Sequence, residues 1–262
     1  MSSSSDGKRP HPARGRLFET PLYQFGEQSD RIAALFHTIL LLLGAIIVAD
    51  LFVVSTRELL EGLGYTEQTA PVLSAISTTS MSFVAFLLVG FTYLAWRGND
   101  SLVTIYRPTL SDLGWIVAGT LGLVVAINGL GLLAEYLGYE TAENVAIEQG
   151  QQNPEYFLAL LPIQFLLTAP AEEFLFRGLI QGLFRRAYGI APGIAIASIL
   201  FGLIHYPALA GQEGTFVVIG ILIVSGAVLG IIYEYTGNLT VPILVHALWN
   251  VLVFGTQYIQ AV

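Results

Sequence analysis

Seven apolar blocks, each about as long as a bilayer is thick, constrain this chain more than anything else in it. They run over roughly 32–54, 72–96, 113–137, 156–183, 190–205, 216–235 and 241–258. About 20 apolar residues in a helix cross a hydrocarbon core of about 30 Å. Inside lipid, backbone groups must be satisfied within the segment itself, which leaves the helix as the only open-ended solution. Composition agrees: 54% of residues are hydrophobic and 11% charged, with a mean hydropathy of +0.68. A soluble domain carries about 25% charge, and this chain has too little to coat a water-exposed globule. The sequence therefore predicts an all-α, polytopic transmembrane helix bundle. It has seven spans, or eight if Pro162 and Pro170 divide the fourth block.

Other classes drop out quickly. The chain has no cysteine, so it has no disulfide scaffold, no Cys-ligated zinc and no thiol nucleophile. A net charge of −8 gives no footing for nucleic acid. Residues 1–31 are polar and irregular and are expected to be a disordered cytoplasmic tail. The first block is longer than a secretory h-region and no small-residue cleavage site follows it, so it is expected to be a retained helix. Residues 32–154 then form an N-terminal set of transmembrane helices, and 155–258 a second set.

Positive charge gives an orientation in a cell membrane. Lys8, Arg9, Arg14, Arg16 and Arg31 precede the first span, Arg97 and Arg107 follow the second, and Arg185 and Arg186 follow the fourth. Nine of the eleven basic residues thus fall on one side, which predicts a cytoplasmic amino end. With seven spans the carboxyl end is external.

Polar residues inside the blocks are costly, roughly 2.5–3.5 kcal/mol for a charged side chain at a helix centre, and so mark function. Asp50, Asn128, His37 and His11 are single events with ordinary structural readings. Three clusters near the carboxyl end differ. In Ala169-Pro-Ala-Glu172-Glu173-Phe-Leu-Phe-Arg177 the two carboxylates diverge by about 100° on a helix. Glu173 and Arg177 are four apart on one face, in the favourable order for an ion pair. Glu172 has no local partner and is free to point into a cavity as a proton acceptor. A helix end emerging into water is the other way to account for these charges. Phe201-Gly-Leu-Ile-His205 ends one apolar run. His246-Ala-Leu-Trp-Asn250 places two hydrogen-bonding groups on one helix face, as an interhelical clamp would also require.

Taken together, a carboxylate, two imidazoles and an amide supply the parts for hydrolysis by water. Glu172 with His205 can deprotonate the water, and His246 with Asn250 can donate to the oxyanion. Gly178-x-x-x-Gly182 and Gly226-x-x-x-Gly230 have the spacing of close helix approach.

The ordered set Glu172-Glu173-x-x-x-Arg177, Phe201-x-x-x-His205 and His246-x-x-x-Asn250 resembles the signature of the CPBP intramembrane proteases. That family includes the type II CaaX prenyl endopeptidases and the Abi-type bacteriocin-immunity proteins. The resemblance covers about residues 155–255 and makes 155–258 the catalytic core. It implies that Glu172 and His205 activate water and that His246 and Asn250 form the oxyanion site. Glu173, Arg177 and Phe201 would support them. The implied partners are the lipid bilayer and a membrane-anchored peptide or protein, prenylated CaaX substrates being one family possibility.

Rival protease motifs are absent. There is no His-Glu-x-x-His, Ser225-Gly226 lacks the rest of a rhomboid motif, and there is no Gly-x-Gly-Asp. Zinc held by Glu172, His205 and His246 stays open, although a metal-free glutamate mechanism needs only the same residues. A non-catalytic scaffold or immunity protein also stays open, as does a proton-coupled transporter.

Overall fold

The computed structural model describes residues 20–98, 102–209 and 212–262. Lys8, Arg9, His11, Arg14 and Arg16 lie outside them. Among the described residues there are eight helices. Seven are long and apolar enough to cross a membrane: α1 (Gln28–Gly62), α2 (Pro71–Arg97), α3 (Leu110–Tyr136), α5 (Glu155–Tyr188), α6 (Ile190–Ala208, ending in a short 3₁₀ turn), α7 (Thr215–Thr236) and α8 (Thr240–Ala261). The eighth, α4 (Val145–Gln152), is short and caps its own start, Asn144 accepting from the Ala146 N–H at 2.8 Å.

The fourth block is one helix, not two, which gives seven candidate spans among the described residues. Neither proline breaks α5; both lie in α-helical stretches, with a π turn between them and a second one after Pro170. Residues Gln164–Thr168 and Phe174–Gln181 adopt π turns. At 34 residues, α5 is about 50 Å long at 1.5 Å per residue, well beyond a hydrocarbon core.

α5 is also the centre of the bundle. Every residue from Phe174 to Gln181 is buried, as expected for a helix that is packed on all sides. Around it lie Leu41 and Ala45 of α1, Tyr93 of α2, Phe201 of α6 and Tyr233 of α7. A second cluster joins Ile116 and Leu123 of α3 to Leu229 and Ile232 of α7 and Val241 and Val245 of α8. Outward-facing apolar side chains such as Leu35, Ile39, Leu43 and Ile47 remain exposed, as lipid contact requires.

Gly202 and Gly226 bring α6 against α7. A Cβ on Gly202 would sit 2.5 Å from Ile223 Cγ1 and 3.0 Å from the Ile219 carbonyl, and one on Gly226 would sit 3.2 Å from Ser198 Cα. The expected helix–helix role of Gly178 and Gly182 is corrected. Both instead admit the α2–α3 connection, their added Cβ atoms falling 3.1 Å from Val103 Cγ2 and 3.2 Å from Leu102 Cδ2.

The connections carrying basic residues gather on one face. There, residues just ahead of α1 close the α5–α6 turn. Pro21 and Leu22 carbonyls accept from the Ile190 and Ala191 N–H groups at 3.1 and 3.0 Å, while Gln24 and Gly26 N–H groups donate to Tyr188 and Ala187 at 2.9 Å each. These bonds satisfy helix-end groups that would otherwise be orphaned. Of the two basic residues at this turn, Arg185 is buried and its guanidinium lies 3.5 Å from Glu234 of α7, which also accepts from Gln181 at 2.9 Å. On the opposite face, Gln212 ties the connection after α6 to the one carrying α4. It accepts from the Glu143 N–H at 2.7 Å and donates to the Glu143 carbonyl and the Glu148 carboxylate, each at 2.9 Å.

The α6–α7 contact makes a specific demand. Gly202→Leu overpacks a site bounded by backbone and should cost about 1–3 kcal/mol. Gly114→Ala, where nothing lies within 4 Å, should cost nothing. Thermal melting of the two variants in the same detergent checks the contrast.

Candidate active site

Glu172 and Glu173 sit at the middle of α5, between its two π turns, and both are buried. As adjacent helical residues they point in different directions and meet different partners.

Glu173 is wholly buried and bridges two cations or donors. Its Oε2 lies 3.2 Å from Arg177 Nε, one turn along α5. Its Oε1 lies 2.9 Å from His246 Nδ1 on α8. Arg177 also donates to the Gly226 carbonyl at 3.4 Å and stacks on the Phe201 ring, with its guanidinium carbon 4.4 Å from the ring centroid. A guanidinium on an aromatic face in a dry setting is held electrostatically as well as by packing. Phe201 in turn packs edge-on against His205 and His246, at 4.9 and 5.9 Å between centroids. The aromatic residue of the second motif is therefore a wedge between the arginine and both imidazoles.

Glu172 faces the two imidazoles. His205 Nε2 is 4.0 Å from its Oε1, and His246 Nε2 is 3.6 Å from its Oε2. His205 Nδ1 lies 2.7 Å from the Phe201 carbonyl. A carbonyl only accepts, so Nδ1 carries the hydrogen, and in the neutral ring Nε2 presents a lone pair toward Glu172. Two acceptors facing one another need a shared donor, and a single water supplies two hydrogens to such a gap. His246 donates through Nδ1 to Glu173 by the same logic, and its protonated form can also donate through Nε2.

Asn250, one turn beyond His246, donates to the Gln164 side-chain carbonyl at 2.8 Å. One amide hydrogen is thereby fixed and the other remains for a ligand. Glu172, His205, His246 and Asn250 all line one cavity of about 1080 Å³, bounded also by Thr79, Phe83, Gln164, Thr168, Trp249 and the α3–α5 connection. The geometry brings together the four residues singled out as catalytic in the sequence, with Glu173, Arg177 and Phe201 behind them.

Of the other polar residues, His37 and Asp50 stand apart from these four. His37 is a packing residue whose Nδ1 meets the Tyr93 hydroxyl at 3.1 Å. Asp50 is exposed on α1. Asn128 lines the cavity, donating to the Val124 carbonyl one turn back at 2.8 Å. Gln164 and Thr168 also line the cavity and had no motif to announce them. Their only signal in the sequence is spacing, since Gln164, Thr168 and Glu172 recur every four residues in an apolar block.

Zinc coordination asks that three protein donors lie about 2 Å from one point. The two imidazoles address different oxygens of Glu172, and among the described residues no group of three His, Asp or Glu side chains is arranged to hold a metal ion. The side chains as placed do not fit zinc.

The fold is an all-α bundle of candidate membrane spans that encloses a cavity lined by a carboxylate and two imidazoles. Residues 154–252 match the family model described as type II CAAX prenyl endopeptidase Rce1-like. The match supports the CPBP family of intramembrane endopeptidases for this segment, with α1 to α4 outside it. No curated protein and no solved structure matches the chain.

Glu173 should be felt first in stability. Glu173→Gln leaves a buried guanidinium without its counter-charge, a loss of about 3–5 kcal/mol. The detergent-solubilised variant should melt markedly lower than the parent. An unchanged melting temperature would show that the Arg177–Glu173–His246 contact does not hold the site together.

Proposed function

We propose that this chain hydrolyses a peptide bond of a membrane-anchored substrate with water activated by Glu172 and His205, without a metal. The observation that carries the reading is the opposed pair of acceptors, Glu172 Oε1 and His205 Nε2, 4.0 Å apart on the wall of a cavity. A water donating to both has its lone pairs turned into the cavity. As its oxygen attacks the scissile carbonyl carbon, its proton passes to Glu172. The carbonyl oxygen becomes an oxyanion, held by the remaining Asn250 amide hydrogen and by protonated His246. Collapse breaks the C–N bond, and Glu172 returns the proton to the leaving amine. Glu173 and Arg177 touch no reacting atom in this scheme; they hold His246 in place.

The apolar walls of the cavity and its depth in the bundle suit a peptide carried by a lipid anchor or a transmembrane segment, of which a prenylated CaaX tail is one form. The basic face, where Arg97, Arg107 and Arg186 lie with the segment before α1, is assigned to the cytoplasm.

Glu172→Gln keeps the shape but cannot take the proton, so proteolysis in membranes should fall to background. The readout is the set of peptide ends that disappears with this substitution. Asn250→Ala removes one oxyanion donor, a loss on the order of 10²–10³ in rate that leaves measurable turnover. Chelators should leave the parent's cleavage intact. About one zinc per chain, lost with activity and restored by adding it back, would overturn the metal-free scheme.

Orientation has its own test, made simple by the lack of native cysteine. A cysteine at Gln149 on α4 should react with an impermeant reagent on intact cells, and one at Gln28 should not. The reverse pattern would place the basic face outside.

A further inference from the structure

We propose that substrate reaches the active site from the face opposite the basic connections, so that the bond cleaved lies on the exported side of a membrane-anchored protein. The assignment rests on the protease reading given above and narrows its substrate class.

The cavity occupies one half of the bundle. In the six spans that line it, the lining residues furthest toward the basic face are Phe83 on α2, Ile127 on α3, Glu172 on α5, Phe201 on α6, Ser225 on α7 and His246 on α8. All but His246 stand at about midspan or nearer the opposite face. Among the described residues, none of 102–109, 184–190 or 236–240, which make up the basic face, reaches the cavity.

Toward that face the structure is closed. Every residue of α5 from Ala171 to Gly182 is buried, and the α2–α3 connection fills the space beyond the cavity floor. Leu102 and Val103 lie against Gly182 and Gly178. Four hydrogen bonds stitch this connection to the α7–α8 turn. The Leu239 N–H donates to the Thr104 carbonyl at 2.9 Å, and the Tyr106 N–H to Asn238 Oδ1 at 3.2 Å. The Tyr106 hydroxyl donates to the Thr236 carbonyl at 2.9 Å, and the Thr240 hydroxyl to the Tyr106 carbonyl at 3.1 Å. A peptide entering here would have to break these bonds and bare Leu102 and Leu239, both buried.

The other end is open. The cavity walls run up to the end of α3 and the connection after it, where Glu135, Tyr139, Glu140 and Thr141 line the cavity and are exposed. Two glutamates at this rim place it in water, since a carboxylate in lipid is costly. By the charge rule the closed end is cytoplasmic, so the mouth faces outward. A polypeptide held by a transmembrane segment, or by lipid in the outer leaflet, can present a bond there. A carboxyl-terminal tail displayed in the cytoplasm meets the closed end.

The test uses the full-length chain, which has no cysteine of its own, and reads the peptide ends that vanish with Glu172→Gln. Thr141→Cys puts one thiol at the mouth, and Gln28→Cys puts one at the basic face. A polymer-linked, impermeant maleimide applied to intact cells should modify Thr141→Cys and bring its Glu172-dependent ends down to the Glu172→Gln background, measured against the same variant before modification. In inverted vesicles the polymer should modify Gln28→Cys with no loss of cleavage. The ends themselves should map to extracytoplasmic segments of their parent proteins, a readout that needs no cysteine variant. A fully modified Thr141→Cys protein that still cleaves overturns the assignment. So does loss of cleavage on modifying Gln28→Cys, a Thr141→Cys thiol that reacts only in inverted vesicles, or ends confined to cytoplasmic tails. Each of these results leaves the protease reading standing. Absence of any Glu172-dependent end in the unmodified parent strikes that reading itself, and the assignment falls with it.

Discussion

One ionised cluster in a dry bundle sets the terms for the rest of the structure. Glu173 is fully buried and shared between Arg177 on its own helix and His246 on α8. Taking such charges out of water costs several kcal/mol per ion, and the cost is offset only when every partner is in place. The surrounding elements are arranged to keep the partners there. Phe201 fills the space between the guanidinium and both imidazoles, and Gly226 lets α7 approach Ser198 and Phe201 of α6 while its carbonyl accepts from Arg177.

The paired glutamates illustrate how one helix serves two needs. Adjacent positions differ by about 100°, so Glu173 turns into the protein and Glu172 turns into the cavity. Glu173 orients His246 through Nδ1, and a backbone carbonyl orients His205 through its own Nδ1. Both rings are thereby fixed with Nε2 toward Glu172. The arrangement is that of a preorganised site, in which supporting hydrogen bonds set ring orientation before any substrate arrives.

The π turns of α5 couple fold to chemistry. α5 stays continuous past Pro162 and Pro170, and its π turns shift carbonyls to donors five residues on instead of four. In the first turn the Gln164 carbonyl accepts from the Ala169 N–H, five residues on. Thr168, whose buried hydroxyl has no hydrogen-bond partner among the described residues, lies four residues before Glu172.

The sequence alone determined the span count to within one, the helical class and the three motifs, because each of these is written in local hydropathy and short spacing. It also determined the Glu173–Arg177 pair, an i, i+4 relation that a single helix fixes. Tertiary structure decided everything that depends on how helices face one another. That His246 bonds Glu173 while pointing its other nitrogen at Glu172, that Asn250 is held by Gln164, and that Arg185 is buried against Glu234 are relations between distant segments. The role of Gly178 and Gly182 turned on which neighbour lay opposite, a connection and not a helix. In a chain whose spans are apolar all round, the hydrophobic pattern names no inward face; only the pairing of buried polar groups across helices does.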